Sequence, residues 1–153
     1  MIQFKRVLAP VDFSEVSQEA ISYASELARV FAAELRLLHV VNPPGGVAAY
    51  GAPTGVAVHV DQNELVADDE RRALEELRGF TVPAADEIPS IVREVRPGVP
   101  FEEIIHYAIG HKIDLIVMGT HGRIGLSHAL LGSVAGKVVR TATCPVLTVH
   151  PEG

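Results

Sequence analysis

The chain has one cysteine and no tryptophan among its 153 residues, and its aromatic content is 5%. The single thiol, Cys144, cannot close an internal disulfide, which rules out a cross-linked scaffold and fits a reducing cytosol. No apolar run approaches the roughly 18 residues of a membrane span. The N-terminal "MIQFKRVLAPVD" lacks the layout of a signal peptide, because it runs directly into strand-like sequence. A cytoplasmic protein without a membrane partner is therefore expected. Several chemical signatures are missing as well. Neither G-x-x-x-x-G-K-[ST] nor G-x-G-x-x-G occurs, which argues against a Walker nucleotidase and an ordinary dinucleotide-binding domain. There is no H-E-x-x-H, no paired-cysteine metal motif and no G-x-S-x-G elbow, and the seven histidines are scattered. No nucleophile–base pair assembles, so no catalytic residue and no resident metal site is assigned.

Acidic residues are absent from one long segment. The net charge is −6, which argues against general attraction to nucleic acid or an anionic membrane. Yet from Leu115 to His150 there is no Asp or Glu, where the overall composition would place about four or five. The same stretch carries Arg123, Lys137 and Arg140, with His121 and His128 between them. Two readings stay open: a site kept clear for an anion, or a core segment that sheds both signs of charge.

What is present is a regular alternation of strand-like and helix-like runs. "RVLAPV" (Arg6–Val11), "LRLLHVV" (Leu35–Val41), "SIVREV" (Ser90–Val95), "DLIVMG" (Asp114–Gly119) and "PVLTVH" (Pro145–His150) read as strands. Helices are expected from Ser14 through Phe31, with Ala20, Ile21, Ala24, Leu27, Ala28 and Phe31 on one face, and over Asn63–Leu77. Two more are expected over Phe101–Ile109, with Phe101, Ile104, Ile105, Ala108 and Ile109 facing in, and over Ser133–Thr141. Continuous apolar strands alternating with helices mean a parallel sheet covered on both faces, an α/β doubly wound domain over 1–153. Ligands of such sheets bind beyond the carboxyl ends of the strands, where the strand order reverses. Residues 42–60, uncharged and rich in glycine and proline, are too long for an ordinary connection and read as a flexible loop or a functional flap.

Chemistry concentrates after the first and fourth expected strands. "GTHGRIGLSHALLGSV" sets Gly119, Gly122, Gly132 and Ser133 in a G-x2-G-x9-G-S pattern between a strand and a helix. Gly119 and Gly122 would let the chain turn sharply and bring N–H groups near phosphate oxygens. Gly132 and Ser133 would stand at a helix N-terminus, where orphan N–H groups and the dipole favour an anion, and Arg123 would add a charge-assisted bond. A Cβ at Gly132 is expected to intrude on phosphate space, so Gly132→Val should cost affinity more than stability. The plainer reading is a tight turn with Ser133 as an N-cap. Asp12 and Glu15 have capping-box spacing for the first helix, the leading reading from these residues alone, while the Asp12 carboxylate could also accept from an adenine amino group or a ribose hydroxyl. Val40, at the end of the second strand, could lie against a planar base, or be core. His39 reads as a satisfied core histidine.

Taken together, "VLAPVDFSEVSQEAISYASELA", "LRLLHVV" and "PGVPFEEIIHYAIGHKIDLIVMGTHGRIGLSHALLGSVAGKVVRTATCPVLTV" resemble a universal stress protein domain, from about residue 4 to 150. The C-terminal third resembles the family's nucleotide-binding branch. The resemblance implies a Rossmann-like, adenine nucleotide alpha hydrolase-like sheet of five parallel strands in order 3-2-1-4-5, with ATP, or AMP or ADP, at the switch point. It implies Pro10, Val11, Asp12 and Val40 around adenine and ribose. Met118, Gly119, His121, Gly122 and Arg123 would follow the ribose and phosphates, and Gly132, Ser133 and Val134 would close on the phosphates. Asp12 then becomes a ligand contact alongside any capping. A homodimer through the last strand, Val146–Val149, is also implied, and an apolar edge strand invites such pairing physically.

The leading functional expectation is a nucleotide-dependent regulatory stress-response protein that binds ATP with little or no turnover. A slow ATPase or phosphotransferase is the first alternative. It would need Mg²⁺ and a positioned nucleophile, and the glycine loop supplies neither a carboxylate nor a Walker lysine. A nucleotide-free interaction module is the second, and redox sensing through Cys144 is the weakest.

Overall fold

The alternation of apolar residues along each strand decides which helices cover it. In the computed structural model, which describes residues 1–43, 61–121 and 131–151, strand β1 spans Arg6–Pro10, β2 Glu34–Val41, β3 Ser90–Pro97, β4 Leu115–Gly119 and β5 Val146–Val149. Helices α1 (Glu15–Phe31), α2 (Gln62–Gly79), α3 (Pro100–Gly110) and α4 (Ser133–Thr141) lie between them, with a short 3-10 turn at Ala85–Glu87. Val7 and Ala9 of β1, Leu35 and Leu37 of β2, and Leu115 and Val117 of β4 face one way and pack with Ala20, Ile21, Ala24 and Ala28 of α1 and Leu77 of α2. Leu8, Leu38, Ile116 and Met118 face the other way, against Ile104, Ile105 and Tyr107 of α3 and Ala135 and Val138 of α4. Each fully buried Leu, Ile or Val in these layers contributes about 1.5–3 kcal/mol.

The five strands form one sheet in the order β3-β2-β1-β4-β5. All pairings are parallel: Val7 lies opposite Leu35 on one side and Leu115 on the other, and Ile116 lies opposite Val146. The sheet therefore ends at β3 and β5. The expected fold class holds. Among the described residues no helix is long and apolar enough to cross a membrane.

Two local expectations are corrected. Asp12 is not the cap of α1. Ser14 is, accepting from the Ser17 N–H at 3.2 Å, while Asp12 Oδ1 accepts from the Ser14 N–H at 3.0 Å and from the Ser14 hydroxyl. Phe13 intervenes with φ of +65°, a left-handed turn that carries the helix start two residues past Asp12. On α3, Ile109 points outward at 56% exposure and Tyr107 is fully buried instead. The Tyr107 hydroxyl accepts from Arg36 Nη1 at 2.9 Å and donates to Glu94 Oε1 at 3.1 Å, which turns the Ile104–Tyr107–Ala108 face of the helix onto β2 and β3.

Candidate functional site

Strands β1 and β4 are neighbours, yet α1 follows β1 onto one face of the sheet and α4 follows β4 onto the other. The chain diverges there and opens a cleft at the carboxyl ends, as doubly wound sheets do. A cavity of about 660 Å³ lies at this point, within the usual size of a small-molecule site. Its wall takes Pro10, Val11 and Asp12 from the end of β1, Val40 from β2, Met118, Gly119 and His121 from β4 and the residues after it, and Gly132, Ser133 and Val134 from the start of α4. Every candidate from the sequence is there except Gly122 and Arg123, which lie outside the described residues.

The floor is apolar and closely packed. Val11 is 4% exposed and Met118 5%. The Val11 N–H donates to Leu38 O at 2.8 Å, carrying the β1–β2 pairing one residue past the strand. His39 is not a core histidine: it is half-buried, lines the cavity, holds Nδ1 2.6 Å from the Val11 carbonyl oxygen, and packs its ring 4.3 Å from that of Phe13. Asp12 and His39 also line a smaller, open pocket of about 350 Å³, formed with Phe13, Val41 and Asp69, Arg72, Ala73 and Glu76 of α2.

The glycines do different work from that expected. At Gly132, a Cβ would come within 2.6 Å of the Thr120 carbonyl oxygen and 3.5 Å of the His121 Cα. Its N–H donates to that same oxygen at 2.6 Å, so the chain after β4 and the chain before α4 cross backbone to backbone. Glycine is therefore needed here for internal closure, a demand that exists before any phosphate is considered. At Gly119 a Cβ would meet Val16 Cγ1 at 2.6 Å, so this glycine lets the first turn of α1 sit against the end of β4. Ser133 is the first helical residue and not the cap. Gly132 holds the cap position and, having no side chain, makes no side-chain cap hydrogen bond. Ser133, Val134 and Ala135, the first turn of α4, line the cavity, and the N–H groups of a helix's first turn have no intrahelical partner.

Asp12 is the lone carboxylate among the described lining residues, which include no lysine or arginine. Among the described lining residues, the groups able to attract an anion are the helix terminus and the peptide and imidazole N–H groups. His121 is 7% exposed, and among the described residues its Nε2 has no hydrogen-bond partner. Nowhere do three or more His, Cys, Asp or Glu side chains among the described residues come together to hold a metal.

The universal stress protein family model matches residues 3–150. The chain belongs to the universal stress protein family. It is 38% identical over 148 residues to universal stress protein MJ0531 of Methanocaldococcus jannaschii, covering 95% of this chain and 82% of that one. The structure of universal stress protein UspA from Lactobacillus plantarum superposes with a TM-score of 0.80 at 30% identity, over 97% of this chain and 99% of that one. A universal stress protein from Archaeoglobus fulgidus, solved in complex with dAMP, is alike in fold alone, with a TM-score of 0.57 at 22% identity over 97% and 99% of the two chains.

Several wall residues of this universal stress protein went unnoticed in the sequence. Pro100 and Ile104 reach the cavity because α3 packs across the ends of β1 and β2, which no local pattern reveals. Leu38, Asn42, Leu131, Ala135 and Ser17 are further lining positions of this kind. Thr120 had a signal, standing between Gly119 and His121 inside the glycine pattern, but it matched no spacing rule.

Proposed function

We propose that this universal stress protein binds an adenine nucleotide in the switch-point cavity and uses it as a regulatory ligand with little or no turnover. One observation carries the reading: the cavity is apolar where a base would lie and ends at a helix N-terminus, its cap position held by a glycine, where phosphates would lie. Pro10, Val11 and Val40 would flank the adenine, Asp12 would take a ribose hydroxyl, and Met118, Gly119 and His121 would follow the ribose towards the phosphates. Ser133 and Val134 would hold the phosphates through their N–H groups and the Ser133 hydroxyl, with Gly132 lining the approach and its own N–H kept by Thr120, and with Gly122 and Arg123 assigned the same task from sequence. The cavity volume and the unpartnered His121 Nε2 fit such a group. ATP is the proposed ligand, with AMP or ADP as resident forms and Mg²⁺ arriving with the phosphates. The dAMP complex of the Archaeoglobus protein supports the ligand class.

Heat-denaturing fresh protein and chromatographing the supernatant against adenine nucleotide standards is the experiment. Near-stoichiometric nucleotide is the expected result. Neither release nor uptake of ATP with Mg²⁺ would leave an interaction module in its place. Hydrolysis well above a Ser133→Ala control would instead favour a slow ATPase.

A cytoplasmic homodimer through β5 belongs to the same proposal. β5 is a sheet edge, and Leu147 on it is 39% exposed. The Pro145 and Val149 carbonyls point inward to Ile116 and Thr120, so by strand alternation the Thr148 N–H points outward. Thr148→Pro should then leave the sheet intact and yield monomer in sedimentation. An unchanged dimer would place the interface elsewhere.

A further inference from the structure

Thr120 is fully buried, and its polar groups are nearly all committed. Its N–H donates to Val149 O at 2.9 Å, its carbonyl accepts from the Gly132 N–H at 2.6 Å, and its Oγ1 lies 2.9 Å from His121 Nδ1. The backbone of Thr120 thus ties the end of edge strand β5 to the start of α4, and its hydroxyl reaches a ring that lines the cavity. With Nδ1 engaged, the one ring nitrogen His121 can offer a ligand is Nε2, which is buried and has no partner among the described residues.

A neutral ring can meet Thr120 in two ways. If Nδ1 carries the hydrogen and donates to Oγ1, the hydroxyl hydrogen is left buried with no acceptor among the described residues, and the Nε2 lone pair is left without a donor. If the hydroxyl donates to Nδ1, only the Nε2–H remains unpaired. The first arrangement strands two buried polar groups and the second strands one, and stranded groups are what folded interiors avoid.

We infer that Thr120 is a positioning residue: its hydroxyl donates to Nδ1 of the neutral His121 ring, holds the imidazole in the Nε2–H tautomer, and so presents an N–H donor to an anionic oxygen of the ligand. The ligand's identity rests on the nucleotide reading above, but the tautomer does not. The second ring nitrogen of a histidine commonly fixes what the first one does in this way.

The test is imidazole ¹⁵N–¹H correlation NMR on nucleotide-free protein, at a pH well above the ordinary imidazole range, with His121→Gln to assign the ring among the seven histidines. The wild type should show hydrogen on Nε2 and a hydrogen-free Nδ1. Thr120→Val, which keeps the shape and removes the hydroxyl, should populate the Nδ1–H form, and Thr120→Ser should restore the wild-type spectrum. A hydrogen on Nδ1 in the wild type, or an unchanged tautomer in Thr120→Val, overturns the assignment. In the binding arm, ATP should shift the His121 Nε2–H resonance, and Thr120→Val should weaken ATP by about threefold to tenfold, the worth of one hydrogen bond, with Thr120→Ser near wild type. Wild type that binds ATP with the His121 resonance unmoved refutes the role given to Nε2. The expected ligand-free spectra with no ATP binding would refute the nucleotide reading and uphold the tautomer.

Discussion

Gly132→Ala is the perturbation with the most closely defined consequence. Gly132 has φ of −57° and ψ of 160°, which any residue adopts, so the cost is not conformational. It is a collision. The new Cβ would stand 2.6 Å from the Thr120 carbonyl oxygen, and such contacts become ordinary only beyond 3.4 Å. The obstacle is backbone, so no side-chain rotamer relieves it. Parting the two segments by about 0.8 Å in that direction would stretch the Gly132 N–H···O Thr120 bond from 2.6 to about 3.4 Å, past the useful range. Overpacking costs about 1–3 kcal/mol and a lost hydrogen bond about 0.5–1.5 kcal/mol, so about 2–4 kcal/mol is expected. For a domain of this size that lowers Tm by about 5–15 °C. The assay is thermal unfolding with Gly110→Ala as control, because a Cβ at Gly110 meets nothing within 4 Å. ATP affinity, measured well below Tm, should fall together with stability. Loss of affinity at wild-type Tm would refute the backbone crossing and restore Gly132 as a glycine kept clear for phosphate.

Gly119→Ala should destabilise by about 1–3 kcal/mol through its collision with Val16. Adding Val16→Ala should recover part of that loss in a double-mutant cycle, whereas additive losses would deny the contact. Gly136→Ala should raise stability by about 0.5–1 kcal/mol, since the residue is inside α4 and its Cβ would find only contacts of 3.8 Å or more. A fall in Tm would show hidden crowding. Burial pushes the Cys144 thiol above its ordinary range, with the Asp114 carboxylate adding to the effect. The folded state thus holds this proton more tightly than the unfolded chain. Its contribution to stability is present below the ordinary thiol pKa and is lost as pH rises through the folded value. Alkylation of native protein should accordingly need a higher pH than alkylation in urea. Fast labelling at neutral pH would revive a redox role for this residue.

The strands were legible because β1, β4 and β5 are short, nearly continuous apolar runs and β2 and β3 carry Leu, Ile and Val between their charged residues, and their parallel arrangement followed from the helices between them. Strand order is a different matter: nothing local places β4 beside β1, and that order was available only from the family resemblance. The site shows the same division. Gly119 and Gly132 stand out in the sequence as positions that need glycine, but their packing reason does not, because the neighbour that excludes a Cβ belongs to a segment brought in by the fold. Val16 lies on α1 and Thr120 beyond β4, and sequence spacing cannot reveal either contact. Asp12 lost its capping role for a local reason, the left-handed turn at Phe13, which an aromatic residue gives no cause to expect. Tyr107 displaced Ile109 from the inward face because its hydroxyl finds Arg36 and Glu94 on two strands distant in sequence. Periodicity counts apolar residues and misses a tyrosine that buries itself through its hydroxyl.

The central claim is that the cavity between the ends of β1 and β4 and the start of α4 holds an adenine nucleotide. Titrating ¹⁵N-labelled protein with ATP, and following the amide resonances, tests it most directly. The account predicts saturable shifts concentrated at Val11, Asp12, Val40, Gly119, Thr120, Ser133 and Val134, with β3 and the outer face of α2 silent. Saturable shifts elsewhere, or none at ATP concentrations in the millimolar range, would contradict it.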